Sequence, residues 1–292
     1  MNSKLQAFVV LLICALLSFA LTQATGAHVV QVFGLPFIAV SALLAFGIQW
    51  IAFLPAYIKQ TERFYDITGS GTFILLACMS LAIMPTLSIY QWMLGLMVII
   101  WALRLGGFLF KRIHEDGIDD RFEHIKPNKY SFFTAWTIQG LWVLLTSLAA
   151  LSAITSVNQT ELGLTGLIGF IVWLIGMLIE SIADYQKRAF KRACKQKTAG
   201  QAAFIASGLW AYSRHPNYLG EILLWIGVAI ASFPIITAWQ HVVLISPVFV
   251  ILLLCKISGI PLLESKAKKK WGEDPAYQAY KAKTPVLIPR LF

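Results

Sequence analysis

The sequence predicts an all-α, polytopic integral membrane protein. Three observations predict it. Of the 292 residues, 58% are hydrophobic and 13% are charged, with a mean hydropathy of +0.71; a soluble domain is about a quarter charged. Several apolar runs are long enough for a helix to cross a hydrocarbon core of about 30 Å. The Lys and Arg residues crowd into alternate segments between those runs. No soluble domain of ordinary size fits between the runs. The net charge of +10 therefore reads as basic loops, and no nucleic-acid partner is expected.

The elements follow in order. The first run, 5–24, comes after a short basic start, MNSK. Small residues near Ala24 and Ala27 also suit signal-peptide cleavage, but a retained helix is expected because the topology closes with it. The second run, 35–58, has Pro36 and Pro55 near its ends. A polar patch at 59–71 leads into a short third run, 72–86, which Asp66 or Thr68 is expected to cap. The fourth run, 89–110, carries Arg104 near its end. The fifth and sixth are 132–156 and 163–183, and the sixth passes into a basic helix at 184–197. Two more, 218–238 and 241–262, are joined by a tight turn at Trp239 and Gln240, and a basic tail occupies 263–292. This gives seven or eight spans. Residues 1–34 form an N-terminal span and loop, and 35–292 a membrane-embedded domain.

Charge fixes the expected orientation. The N-terminus, 59–71, 111–131, 184–217 and 263–292 hold 1, 2, 5, 7 and 7 Lys and Arg residues, 22 of the 24. The intervening loops hold none, and Arg104 and Lys256 lie within runs. The positive-inside rule puts both termini and the polar segments in the cytoplasm, and a bacterial inner membrane is the expected location. The sequon at Asn158, Gln159 and Thr160 falls on the far side and matters only in a eukaryotic secretory pathway. A site open to the cytoplasm and walled by helices is expected, with membrane lipids around it and a lipophilic substrate arriving from the bilayer.

Metal and disulfide chemistry find no support. Cys14, Cys78, Cys194 and Cys255 contain no CxxC pair. The loop 111–131 holds His114, Glu115, Asp116, Asp119, Asp120, Arg121, Glu123 and His124. Their spacing matches no common zinc site, so a structured loop is expected. No GxGxxG, P-loop or GxSxG motif is present.

Chemistry concentrates instead at 207–221, SGLWAYSRHPNYLGE. A helix starting near Pro216 sets Asn217 and Glu221 four apart on one face. An ionisable side chain carried into a membrane marks a functional site by default, although a helix-start carboxylate at the headgroup level is the plain alternative. Upstream, Glu180 and Asp184 also lie four apart, and Asp184 can pair with Lys187 or Arg188. The cations at 187–197 suit anionic lipid or a phosphate clamp; lipid binding leaves Glu180, about a turn deeper, unaccounted for. In the patch at 59–71, Glu62, Tyr65 or Asp66 can donate a hydrogen bond to a substrate carbonyl. Arg104 can snorkel to the cytoplasmic face, or pair with Asp66 or Glu180.

GLWAYSRHPNYLGEILLWIG resembles the C-terminal signature of the steroid 5-alpha-reductase family, especially its bacterial branch, and related sterol reductases share a similar pattern. The likeness extends to the Gly176 to Asp184-Tyr185 helix, FYDITGSGTF, WALRLGGFLFKR, and the tail with Tyr280 and Leu287-Ile288-Pro289. It covers the chain from about residue 37, so the first span looks like an addition to a seven-helix reductase core. The resemblance implies an NADPH-dependent reductase of an activated carbon–carbon double bond in a lipophilic enone, with a 3-oxo-4-ene steroid as the expected substrate. It implies that Asn217 and Glu221 sit at the nicotinamide end, and that Asp184, Arg188 and Lys191 hold the adenine and phosphate end. Tyr212, Arg214, His215, Tyr218, Glu180 and Arg104 join the same set. Hydride goes to the beta carbon while a donor polarises the carbonyl. By position, the family's third-helix Tyr falls at Trp101, which has no acidic proton to give. The donor is therefore expected at Asp66 or Glu62, with Tyr65 as substitute.

A second class shares part of the signature. Isoprenylcysteine carboxyl methyltransferases carry an RHPxY-type sequence and bind S-adenosylmethionine. Arg214-His215-Pro216 and Tyr218 fit both families; Asn217 with Glu221, and the Asp184-Tyr185 helix, favour the reductase.

Overall fold

The computed structural model describes residues 2–116, 119–158, 160–195 and 203–290, without the side chains of His114, Asp116, Asp120, Arg121 and Lys195. Lys197 of the basic helix and Gln159 of the sequon also lie outside the described residues. The chain is an all-α, multi-pass membrane protein. Its helices are α1 (Ser3–Thr25), α2 (Phe37–Ile58), α3 (Tyr65–Ala82), α4 (Ile89–Asp116), α5 (Asp120–Glu123) and α6 (Lys129–Ile154), followed by α7 (Leu164–Lys195), α8 (Pro216–Ser232), α9 (Ile245–Leu252), α10 (Ile260–Trp271) and α11 (Pro275–Lys283). Among the described residues, seven helical stretches are long and apolar enough to cross a membrane. α8, with 17 residues, reaches about 25 Å and is at the short limit for a span.

The chain divides into two compact units, residues 1–167 with 228–246, and residues 168–227 with 247–292. In the first unit α6 is the central helix. Every residue from Val143 to Ile154 is buried, as expected of a helix that is apolar all round. Its polar side chains turn inward on backbone: Ser147 Oγ donates to Val143 O at 2.7 Å. Neighbours reach it in the same way, Ser246 Oγ donating to Thr146 O at 2.5 Å and Gln91 Nε2 to Ile154 O at 2.8 Å. In a hydrocarbon setting such groups must be satisfied within the protein. A hairpin links α1 to α2, with Gln31–Val32 (β1) antiparallel to Leu35–Pro36 (β2). Its two turn residues, Phe33 and Gly34, have φ of 51° and 77°, the positive pair that a two-residue hairpin turn requires.

Several boundaries differ from the sequence reading, each for a local reason. α3 begins at Tyr65, seven residues ahead of the apolar run, so Asp66 and Thr68 lie inside its first turns and neither caps it. Packing overrides the weak propensity of Thr68-Gly69-Ser70-Gly71. A Cβ on Gly69 would lie 2.5 Å from the Gln139 amide, and that amide donates to Tyr65 O at 2.9 Å. Hydropathy stopped α4 at 110, whereas the helix continues through polar residues to Asp116. α8 ends at Ser232, where Pro234 prevents continuation. The expected tight turn at Trp239 is a 3-10 helix, Ala238–Leu244, capped reciprocally by Thr237 and Gln240. The basic tail carries most of α10 and all of α11.

Candidate functional site

In the second unit, α7 and α8 meet backbone to backbone. A Cβ on Gly176 would lie 2.5 Å from Leu224 N, and one on Gly220 would lie 2.5 Å from Glu180 N. Gly227, two turns on, faces Trp173 N in the same manner. This contact sets Glu180 against Gly220, next to Glu221. Glu180 is 2% exposed and Asp184 6%. The stripe they begin continues through Arg188, which is half-buried, to Lys191, which is exposed. From Glu180 to Lys191 the helix rises about 16 Å. The stripe therefore runs from buried acids to accessible cations along one face.

The segment before α8 is clamped to α7. Gly208, at φ 60°, lies against the Gln186 amide, which accepts from Leu209 N at 3.0 Å. Trp210 Nε1 donates to Ala183 O at 3.1 Å, and Lys187 Nζ stands 4.9 Å from the centre of the Trp210 ring. On its other side the segment is tied to the tail. Tyr280 hydroxyl donates to Trp210 O at 2.7 Å, Thr284 Oγ1 to Ala211 O at 3.2 Å, and Arg214 N to Pro285 O at 3.0 Å. Burial pushes the Tyr280 hydroxyl up to about 12 and raises that of Tyr277. Both phenols therefore stay protonated donors.

Glu264 of α10 joins this arrangement to the signature. Its Oε2 accepts from Arg214 Nη1 at 2.5 Å, and its Oε1 lies 2.9 Å from His215 Nε2. His215 is 5% exposed and stacks on Tyr218 with ring centres 5.8 Å apart. Burial lowers its pKa; the Glu264 contact raises it, but Lys187 and Arg214 lower it further, and the net shift is downward. The neutral ring then donates Nε2–H to Glu264, and Nδ1 is an acceptor, a tautomer assigned from the bonding. His215 Nδ1, Asn217 Oδ1 and Arg214 Nε are buried with no hydrogen-bond partner among the described residues. Two acceptors and a guanidinium donor are thus buried within four residues, at the start of α8. Tyr212 is exposed, and Glu221 half-buried.

The other candidates lie in the first unit. Glu62 is 5% exposed. It accepts from Lys126 Nζ at 2.6 Å and from Asp119 N at 3.1 Å. Burial raises the Glu62 pKa, yet the hydrogen bonds and the Lys126 charge outweigh it, and the net shift is downward. Asp66 accepts from Arg112 Nη2 at 3.1 Å, and the same nitrogen lies 3.3 Å from Asp119. Tyr65 hydroxyl donates to Ala135 O at 2.9 Å, with its ring edge-on to Phe122 and Trp136. Arg104, two turns before Arg112 on α4, is half-buried with its guanidinium 5.7 Å from the Phe108 ring centre. Trp101 is fully buried against Phe73. Among the described residues, no group of three His, Cys, Asp or Glu side chains is arranged to hold a metal ion.

The sequence reading missed Glu264, Lys126 and Arg112. Only Glu264 left a signal, as the one acid between Lys256 and Lys270. The partners of Glu62 and Asp66 depend on how the loop after α4 folds back.

No curated protein and no solved structure matches this chain. The family model described as a protein of unknown function, DUF1295, matches residues 52–284, which hold every candidate residue named above, and the chain belongs to that family.

Proposed function

We propose that this protein is a membrane-embedded, NADPH-dependent reductase of an activated carbon–carbon double bond in a lipophilic enone, with a 3-oxo-4-ene steroid as the leading substrate class. The observation that carries the reading is the set of buried polar groups on α7 and before α8. Glu180, Asp184 and His215 are 2, 6 and 5% exposed, and His215 Nδ1 and Asn217 Oδ1 are buried acceptors. Intramembrane and juxtamembrane groups of this kind mark a ligand site rather than a lipid contact. The resemblance to steroid 5-alpha-reductases supports the same assignment of these residues to a cofactor.

The residues fit the cofactor. Asn217 Oδ1 and His215 Nδ1 offer acceptors suited to amide and hydroxyl donors of a nucleotide. Asp184 and Glu180 suit ribose or adenine donors, and Arg188 and Lys191 suit phosphates. Arg214 stays fixed by Glu264, with Tyr212, Tyr218 and Glu221 completing the set; Arg104 is assigned to the cofactor by the resemblance alone. NADPH, when bound, supplies the hydride.

The chain's own part is to orient the ligand, exclude water and hold a proton for the substrate oxygen. Glu62 and Asp66 are acceptors of cationic hydrogen bonds, whereas Tyr65 carries a proton on its hydroxyl. Tyr65 is therefore the preferred donor once its hydroxyl turns from Ala135 O to the substrate, with Asp66 next.

The test is thermal unfolding of the purified protein in detergent with NADPH, NADH or S-adenosylmethionine, since a ligand that binds only the native state raises its stability. Stabilisation by NADPH above NADH, with none from S-adenosylmethionine, is expected. Stabilisation by S-adenosylmethionine alone replaces the reading with methyl transfer.

A further inference from the structure

A second ligand site is carried by α1, α2 and α6, within the first unit. A groove of about 660 Å³ runs between these helices, lined by Phe8, Leu11, Trp50, Leu54 and Phe133. Its walls are almost wholly apolar, and its charged lining residues are Lys4 and Lys129, both exposed. No acid is among the described residues that line it.

The two lysines share one rim. Asn2 caps α1 and Asn128 caps α6, and Asn128 Nδ2 donates to Ser3 Oγ at 3.2 Å. Two helix starts thus stand side by side, each with a lysine in its first turn. Partial positive charge at both helix ends adds to that of the side chains. Tyr130, 38% exposed, lines the same rim, where amphipathic rings settle at the headgroup level. From Lys4 to Leu11 the groove descends about 10 Å along α1, a depth within one leaflet. Gly47 lines it at a point of open space, where a Cβ would meet nothing within 4 Å.

We propose that this groove is a binding site for one anionic glycerophospholipid, its acyl chain against Phe8, Trp50 and Phe133 and its phosphodiester between Lys4 and Lys129. The charge pattern selects this occupant. A neutral sterol or enone has no use for two cations on the rim, and a free phosphate has none for the apolar walls. The groove shares no residue with the set proposed for NADPH, and its test does not depend on that reading.

Native mass spectrometry of the full chain from mixed micelles tests this, with phosphatidylglycerol and phosphatidylcholine of the same acyl chains as probes. Two surface cations predict a preference for phosphatidylglycerol of roughly 30-fold, about fivefold each. The double variant Lys4→Gln/Lys129→Gln should bring retention of phosphatidylglycerol down to that of phosphatidylcholine. Gly47→Leu adds bulk to the groove at a position where a Cβ meets nothing within 4 Å, and should lower retention of both lipids. Equal retention of the two lipids by the wild type overturns the proposal. Wild-type retention by Gly47→Leu overturns it as well, because the lipid then sits elsewhere.

Discussion

His215 and Glu264 form a bonded pair, Nε2 to Oε1 at 2.9 Å, between residues 49 apart in sequence. The same carboxylate holds Arg214 at 2.5 Å. One acid of α10 thus fixes two consecutive residues of the signature, and α10 is part of the site's construction rather than an appendage to it.

Glu264→Gln removes the charge while keeping the shape. A buried hydrogen bond to a charged group contributes about 1.5–3 kcal/mol, and Glu264 is 24% exposed, so a loss at the lower end is expected. The thermal midpoint in detergent should fall and NADPH affinity should weaken with it. A variant as stable and as tight as wild type removes Glu264 from the site.

The lowered pKa of His215 sets a pH dependence. A depressed folded-state value means that the unfolded chain binds the proton more readily. The contribution of His215 to stability is therefore complete above its ordinary value of about 6.5. It is lost as pH falls from there through the folded-state value. Thermal midpoints measured from pH 7.5 down to 5.5 should decline, and His215→Gln should flatten the decline. An equal slope in the variant assigns the acid sensitivity to another group.

Part of this was legible in the sequence. Runs of apolar residues are long and unambiguous, so the helices and their order were readable. So was the α8 start, because Pro216 suits a first helical turn and His215 before it does not continue a helix. The pairing of Glu180 with Gly220 was not legible, since it depends on a backbone approach that only packed helices reveal. Nor were the partners of Glu62 and Asp66. Lys126 lies 64 residues from Glu62 and Arg112 lies 46 from Asp66, and no periodicity connects them. The start of α3 was hidden for a different reason: hydropathy tracks lipid exposure, whereas α6 packs against Tyr65 and Gly69, and Asp66 pairs with Arg112 of α4.

Lys126→Met tests the ion pair at Glu62. It leaves a carboxylate that is 4% exposed without its cation, and breaking a buried pair from one side costs about 3–5 kcal/mol. A large drop in thermal midpoint is expected. Adding Glu62→Gln to the same chain should recover part of it, because the uncompensated charge is gone. No recovery in the double variant places the loss in packing of the Lys126 stem.

Gly220→Ala forces apart two helices that now touch. The new methyl would lie 2.5 Å from Glu180 N and 2.8 Å from its Cβ, and overpacking of this kind costs about 1–3 kcal/mol. Because the displaced residue is Glu180, NADPH binding should weaken beyond what the stability loss explains. Gly47→Ala, at a glycine with open space around it, is the control and should leave binding unchanged. Equal effects at both positions would mean that helix propensity, not the close contact, governs the outcome.

Tyr65→Phe separates chemistry from architecture. The ring lies edge-on to Phe122 and Trp136 with centres 4.7 and 5.0 Å away, and phenylalanine keeps those contacts. The variant loses one hydrogen bond to Ala135 O, worth about 1 kcal/mol, so the fold should persist and NADPH should bind normally. A proton donor contributes about a hundredfold or more to rate. With an enone substrate followed by NADPH oxidation, kcat should therefore fall by about that factor while KM changes little. Asp66→Asn acts on a carboxylate already committed to Arg112 and should slow turnover less. If Tyr65→Phe turns over normally and Asp66→Asn does not, the proton comes from Asp66, and the Arg112 pair must open before it can be given.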